Sequence, residues 1–522
     1  FDDFAMDVVV NPTNANVVYA TFGLRYTSGG IWKSADGGQT WSRLTNGLPN
    51  PSLPNLGYGR IELAMAPSNP NVLYASFAYL RKTGDTVNLP NYAMLGIWKT
   101  NNGGVSWTQV TTPLTSSQTN RNYGLMTALG SQGNYANAIV VHPADPNIVF
   151  VSGLDIYKSI NGGNSWSQVS MWIRPGDENP EGIPYVHADH HVFAFDRSTN
   201  PPILYNGSDG GVARSRDLGV TWEILNKDLG VTQFYFFAVH PTNPGIMLGG
   251  TQDNGSLMLI HGGINDWFEF FTGDGGPSYF DFNDPATAYY SSYYVDMRRA
   301  RFDYSTGRTI STENIGFTDG SNGITQEDVN GANFFAPFEM SPNNPNILVL
   351  GTYRVLKTTN QGNDWTPLSN RFSNKPIVAV AIAEGNDNII WAATNDVLRS
   401  DEARVFKTEN NGISWTEVTR PNLPNRFITD IEFDPSNPAT VYLTYCGYGA
   451  PHVFKSTNAG ASWTDITNNL PDTPANTMQV HPSNPTGFFS ERTSGFFSAK
   501  TADKRGSLRR TIFPRCRWLQ SS

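Results

Sequence analysis

Four aspartates are placed for acid–base chemistry: Asp189, Asp209, Asp253 and Asp274. Each stands in a loop-like context rather than in an apolar run. These are His187-Ala188-Asp189-His190-His191, Ser208-Asp209-Gly210-Gly211, Thr251-Gln252-Asp253-Asn254-Gly255 and Gly273-Asp274-Gly275-Gly276. Two carboxylates at a suitable separation can protonate a glycosidic oxygen and activate a water or attack the sugar, so this set is a candidate catalytic group for a glycan. His187, Asp189 and His191 fall on one side of a strand of period two and His190 on the other. Two imidazoles and a carboxylate could hold a divalent ion, yet no fixed ligand spacing supports it, and the expectation is no metal and no cofactor. Gln252, Asn254 and Tyr294 join His187, Asp189, His191, Asp209, Asp253 and Asp274 as expected ligand contacts. Tyr26, Tyr58, Tyr135 and Tyr185 are further loop tyrosines suited to stacking on sugar rings. The plainer alternative is that the aspartates and Gln252 satisfy backbone amides in tight glycine turns. Turns alone do not call for polar groups gathered in adjacent segments, so the cluster as a whole reads as a ligand surface.

The elements that would position these residues come from a repeat. Its fullest copy runs Ile31-Trp32-Lys33-Ser34-Ala35-Asp36-Gly37-Gly38-Gln39-Thr40-Trp41. Variant copies end at Trp107, Trp166, Trp222, Trp365, Trp415 and Trp463. A strand ending in Lys-Ser/Thr enters a turn where Asp36, or Asn in other copies, accepts from turn amides, while Gly37 and Gly38 supply unusual backbone angles. The tryptophan then opens an outer strand and packs between neighbours. A group needed once for catalysis would not recur in this way, so these turn aspartates read as scaffold.

Each copy lies in a longer unit that opens with an alternating strand, a Pro/Asn turn and a second strand, as in Ala64-Met65-Ala66-Pro67-Ser68-Asn69-Pro70-Asn71-Val72-Leu73-Tyr74. Similar openings at Asn11-Pro12, His142-Pro143, His240-Pro241, Ser341-Pro342, Asp434-Pro435 and His481-Pro482, with looser ones near Asp196, Asp284 and Asn386, make ten blade starts. The period is that of four-stranded propeller blades. The expected fold is therefore an all-β β-propeller over residues 1–485, as one large ring or as a seven-bladed ring and part of a second. In such a blade, residues before the first strand and after the second converge at the channel mouth. The aspartate loops occupy these slots in three consecutive blades.

From residue 486 to 522 the pattern fails and the chain becomes basic. Back-translation of Ser498–Gly506 in another frame yields Ser-Lys-Asp-Gly-Gly-Gln-Thr-Trp, a complete copy of the turn. The expectation is a frameshift near Thr486, which would make Cys516 and the basic run Lys504–Arg517 non-native. Resequencing the locus tests it.

The repeated residues resemble the Asp-box (BNR) repeat of sialidases, xyloglucanases, the photosystem II assembly factor and the ten-bladed propeller of sortilin. The resemblance implies the fold and leaves activity open, since those families include enzymes, receptors and assembly factors. Neither the usual N-terminal arginine motif of sialidases nor the typical first-blade motif of xyloglucanases is recognisable, so no catalytic residue carries over.

A net charge of −9 without a basic face in the body argues against a nucleic-acid partner, and no apolar stretch is long enough to cross a bilayer as a helix. Two cysteines provide neither a disulfide framework nor a thiolate metal site. Together these features lead to a secreted or surface-exposed propeller that binds a polysaccharide or protein through one face. The alternative is a glycoside hydrolase using carboxylates at the channel mouth. Ligand identity and oligomeric state are not encoded legibly.

Overall fold

The computed structural model describes residues 4–24, 29–49, 57–81, 91–110, 132–173, 182–227, 229–230, 232–263, 266–395 and 403–481, and the backbone of 487–492 and 495–500. The fold is all-β and built of β-propeller blades. Among the described residues, nine four-stranded antiparallel sheets and one three-stranded sheet follow one another along the chain, each paired in sequence order. Contacts divide the chain into a first unit, Phe1–Val231, with four of these sheets, and a second, Thr232–Ser522, with six.

The first blade shows the local logic. Its strands are Phe4–Val10, Val18–Gly23, Gly30–Ser34 and Ser42–Leu44. The second strands are apolar on both sides because each faces a neighbouring blade on either surface; Leu73–Leu80 is buried at every position. Alanines and β-branched residues fill the inner strand Ile377–Ile382 for the same reason.

The recurring turn is a closed hydrogen-bond circuit. Ser34 Oγ donates to Asp36 Oδ1 (2.7 Å) and accepts from the Gly38 amide (2.8 Å), while the Thr40 amide donates to Asp36 Oδ1 (2.9 Å). Those bonds, that of the Thr40 hydroxyl foremost, hold the Asp36 carboxyl down at about 2. Asn102, Asn161, Asn360, Asn410 and Asn458 accept equivalent amide bonds in other copies. Gly37 sits at φ 73°, and Leu218, Gln361, Asn411 and Ala459 adopt the same left-handed geometry at the matching position.

Lysine and tryptophan tie this turn to its neighbours through main-chain atoms. Lys33 Nζ donates to the Gly103 carbonyl and Lys158 Nζ to the Leu218 carbonyl, each in the turn of the next blade. Trp222, Trp365, Trp415 and Trp463 donate their indole N–H to carbonyls of the preceding blade at Val169, Ile315, Leu368 and Val418. The sheet Ser278–Asn314 lacks the repeated turn, and there Arg299 takes the lysine's part, donating to the Gln361 carbonyl of the next turn.

Inner strands carry half-buried carboxylates that perform a similar task. In the first unit Asp7 Oδ2 accepts the Leu63 amide (2.8 Å). In the second, Glu339 accepts from Ile382 N, Asp430 from Met478 N and Glu432 from Val480 N. Burial and the nearby Asp430 charge push Glu432 up to about 8. Glu339 is raised well above the usual carboxylate range by burial, then by Glu432 and Asp430.

Beyond residue 485, strands Gly487–Arg492 and Gly495–Lys500 pair antiparallel, the former also with Ala475–Val480. Thr486, Cys516 and the run Lys504–Arg517 lie outside the described residues. No helix among the described residues is long and apolar enough to cross a membrane.

Candidate functional site

In both units the loops before a blade's first strand and after its second are laced together by backbone hydrogen bonds. In the first unit, His190 N donates to Gly153 O (2.8 Å) and Asp209 N to Asp189 O (3.2 Å). In the second, Gly255 N donates to Gly273 O (2.7 Å), Gly275 N to Thr251 O (2.9 Å) and Tyr294 N to Phe334 O (2.7 Å). Gly250 permits this approach, because a Cβ there would lie 2.3 Å from the Gly275 carbonyl oxygen.

A strand irregularity aims the first unit's histidines. The inner strand His190–Asp196 shifts register between His190 and Val192, leaving His191 as the extra, unpaired residue of a bulge. His191 Nε2 thereby reaches Asp209 Oδ1 at 2.7 Å. Tyr135, contributed from the preceding blade's approach, donates its hydroxyl to Asp209 Oδ2 at 2.8 Å and sets its ring edge-on to His191, 4.8 Å between centroids. Two partners from different chain segments thus fix the orientation of one carboxylate. Asp189 is held at φ 60° and places a carboxylate oxygen within 4.8 Å of one from Asp209.

The other histidines are differently employed. His190 is fully buried against Asn206 Oδ1 (2.7 Å), and burial drives its ring down to about 3, so it stays neutral. The His187 ring lies over Gly210, where a Cβ would come within 2.1 Å of its Cγ, and its Nδ1 is 3.2 Å from the Ala188 carbonyl.

In the second unit Asp274 Oδ1 accepts the Asp253 amide at 2.9 Å, and the Asp274 amide donates to the Tyr293 hydroxyl at 3.0 Å. Asp253 and Tyr294 stand at φ 58° and 54°. Gln252 N bonds Gln233 O, and Asn254 uses both its amide and its Nδ2 on the Gln252 carbonyl, which is turn-building work. Backbone strain is thus found in all three loop sets singled out from sequence, at Asp189, Asp253 and Tyr294.

Some loop aromatics are placed elsewhere than expected. Tyr58 is 3% exposed and packs on Phe77 in the core, so it cannot stack on a ligand. Tyr26 lies outside the described residues, and Tyr185 forms an isolated bridge with Met171. Two groups escaped sequence reasoning. Asp155, in the loop after the third blade's second strand, is pushed up to about 7 by burial, opposed by the Trp172 amide; at 4% exposure it is shut away from a large ligand. Phe334 and Phe335 occupy the same slot before an inner strand as His187–Asp189, and that slot was the available signal.

No family model matches the chain. The GH74 enzyme of Niastella koreensis aligns with 96% of this chain and 77% of its own, at TM-score 0.32 and 16% identity. The GH74 xyloglucanase from Xanthomonas campestris covers 95% and 78%, with TM-score 0.32 and 15% identity. YCF48 bound to D1 peptide covers 75% and 91%, with TM-score 0.26 and 10% identity. A xyloglucanase of Hypocrea jecorina (strain QM6a) is 28% identical over 286 residues, 50% of this chain but only 30% of that protein. The chain is thus a β-propeller protein with a xyloglucanase among its relatives.

Proposed function

We propose that this chain belongs to a glycoside hydrolase that cuts a polysaccharide of the xyloglucan class outside the cell. The observation that carries the reading is the similarity to a xyloglucanase over half of the chain, joined to a carboxylate, Asp209, oriented by His191 and Tyr135. Asp209 is assigned the base that activates water or the nucleophile, since an oriented acceptor suits that task. The acid is assigned to Asp189, which places a carboxylate oxygen within 4.8 Å of one from Asp209 in the same unit.

The test is release of reducing ends from xyloglucan by wild type and by Asp189→Asn, Asp209→Asn, Asp253→Asn and Asp274→Asn. Asp209→Asn is expected to lower the rate by about 10²–10⁴ while binding persists. Full activity in that variant removes Asp209 from the chemistry; no release by the wild type on any polysaccharide removes the hydrolase reading.

A second reading is a module that binds a glycan or a protein without cutting. It is favoured by the use of Asn254 in building its own turn and of Asp274 in tying two loops together, and retention of a polysaccharide without release of ends selects it.

A further inference from the structure

The loop that orients Asp209 is itself gripped from one blade further back. Tyr135 gives its hydroxyl to Asp209, while its main-chain carbonyl accepts from Arg60 Nη1 of the second blade at 2.7 Å. Arg60 Nε in turn donates to Glu62 Oε1 at 2.6 Å. One chain of contacts therefore runs from Glu62 through Arg60 and Tyr135 to Asp209 and His191, and every member lies within Phe1–Val231.

A bulge puts Arg60 within reach. In the strand Gly57–Met65, Tyr58 pairs with Tyr79 and Ile61 with Phe77, so Gly59 and Arg60 together stand opposite Ala78. His191 comes from the same kind of irregularity two blades on. The segment that carries Tyr135 has other anchors. Tyr135 N and Ala136 N donate to Gln132 O, and Ser76 Oγ donates to the buried Asn137 Oδ1 at 2.9 Å. Those bonds keep the segment in place without Arg60, and the guanidinium adds the setting of the one peptide from which the phenol projects. Lys33 and Lys158 grip the recurring turns of the frame, whereas Arg60 grips a loop that carries a site residue. Its bond is charge-assisted and its fork is pre-oriented by a carboxylate, which suits a task of precision. A shift of about 1 Å in a positioned group can cost about two orders of magnitude in rate.

We propose that Arg60 is a positioning residue for Asp209, acting through the Tyr135 peptide, with Glu62 orienting the guanidinium. This rests on the assignment of Asp209 to the hydrolytic chemistry above, and adds a residue that governs the rate without touching Asp209.

The experiment combines steady-state cleavage of xyloglucan with the NMR signal of the His191 ring in histidine-labelled full chain, assigned through His191→Gln. The Tyr135 ring stands edge-on to His191 at 4.8 Å, so its ring current marks that signal. Arg60→Met is expected to lower kcat roughly tenfold to a hundredfold, to leave KM unchanged and to shift the His191 signal. Tyr135→Phe is expected to lower kcat to a similar extent, and the double variant no further, because Arg60 then has no phenol left to position. Burial, opposed by Arg60, already pushes Glu62 up to about 7, so in Arg60→Met that carboxyl takes up a proton instead of standing as a bare charge, and the fold is expected to survive. Wild-type kcat in Arg60→Met, losses that multiply in the double variant, or an unmoved His191 signal overturns the proposal. Should Arg60→Met fail to fold, Glu62→Gln is expected to lower kcat several-fold in the wild-type background and not beside Tyr135→Phe, and equal losses in both overturn it. Normal cleavage by Arg60→Met alongside an inactive Asp209→Asn removes Arg60 and leaves the hydrolase standing. A wild type that cleaves no polysaccharide removes the hydrolase reading, and the His191 signal still decides whether Arg60 sets Tyr135 against the Asp209–His191 pair.

Discussion

The repeated turns and the strand-end loops use the same residue types in opposite ways. In the turn of the first blade, Asp36 spends its oxygens on Ser34 and Thr40 within a few residues, and the arrangement recurs with little change from blade to blade. In the first unit's loops, Asp209 is addressed by His191 and by Tyr135, the latter 74 residues away, and no other blade repeats the arrangement among the described residues. An aspartate that closes a local circuit is part of the scaffold. One held by two side chains from different segments, in an arrangement that does not recur, is available for a task performed once.

The contrast breaks most visibly if a connector proves to matter for activity. Trp365→Ala removes a ring that is 3% exposed and an indole N–H bonded to Ile315 O at 2.8 Å. It should cost about 3–5 kcal/mol in chemical denaturation, with the remaining folded protein binding glycan as the wild type does. A loop variant tests the other side. In Gly250→Ala the new Cβ meets the Gly275 and Gly276 carbonyls. A stability loss of about 1–3 kcal/mol should be accompanied here by weakened glycan binding, measured by titration.

The inner-strand carboxylates sharpen the comparison through pH. Glu432 and Glu339 are raised in the folded protein, so folding favours their protonated forms. Their stabilising contribution is complete below the unfolded glutamate value near 4.3 and is lost as pH rises through about 8, the folded value of Glu432. The thermal midpoint of the second unit should fall by several degrees between pH 5 and pH 8.5, and Glu432→Gln should flatten that slope. The smallest effect is expected in a single turn: Ser34→Ala deletes the acceptor of the Gly38 amide and should cost about 1 kcal/mol without altering catalysis.

Legibility in the sequence followed the range of the interactions. The turns and blade starts are local chemistry, so seven tryptophan-ended copies and ten openings correspond to ten sheets. The loops could be located because strand order alone brings them to one end of a blade. Their partners could not. Tyr135 meets Asp209 and Phe334 meets Tyr294 only after blades are stacked. The bulge that turns His191 toward Asp209 leaves no mark in an alternating pattern. Tyr58 read as a loop residue, yet it lies within the strand Gly57–Met65 and is buried.

Arg299 bonds the Gln361 carbonyl together with the Gln361 and Asn363 side chains, but Lys33 and Lys158 grip a neighbour by a peptide carbonyl, an atom every residue possesses. A joint of that kind does not read its neighbour's side chains. Blades built this way are interchangeable parts: one can be duplicated, drift or lose its own turn, as the sheet Ser278–Asn314 has, and the next still finds its handhold. Such tolerance leaves the loops at the blade ends free to diversify into a site without renegotiating the frame.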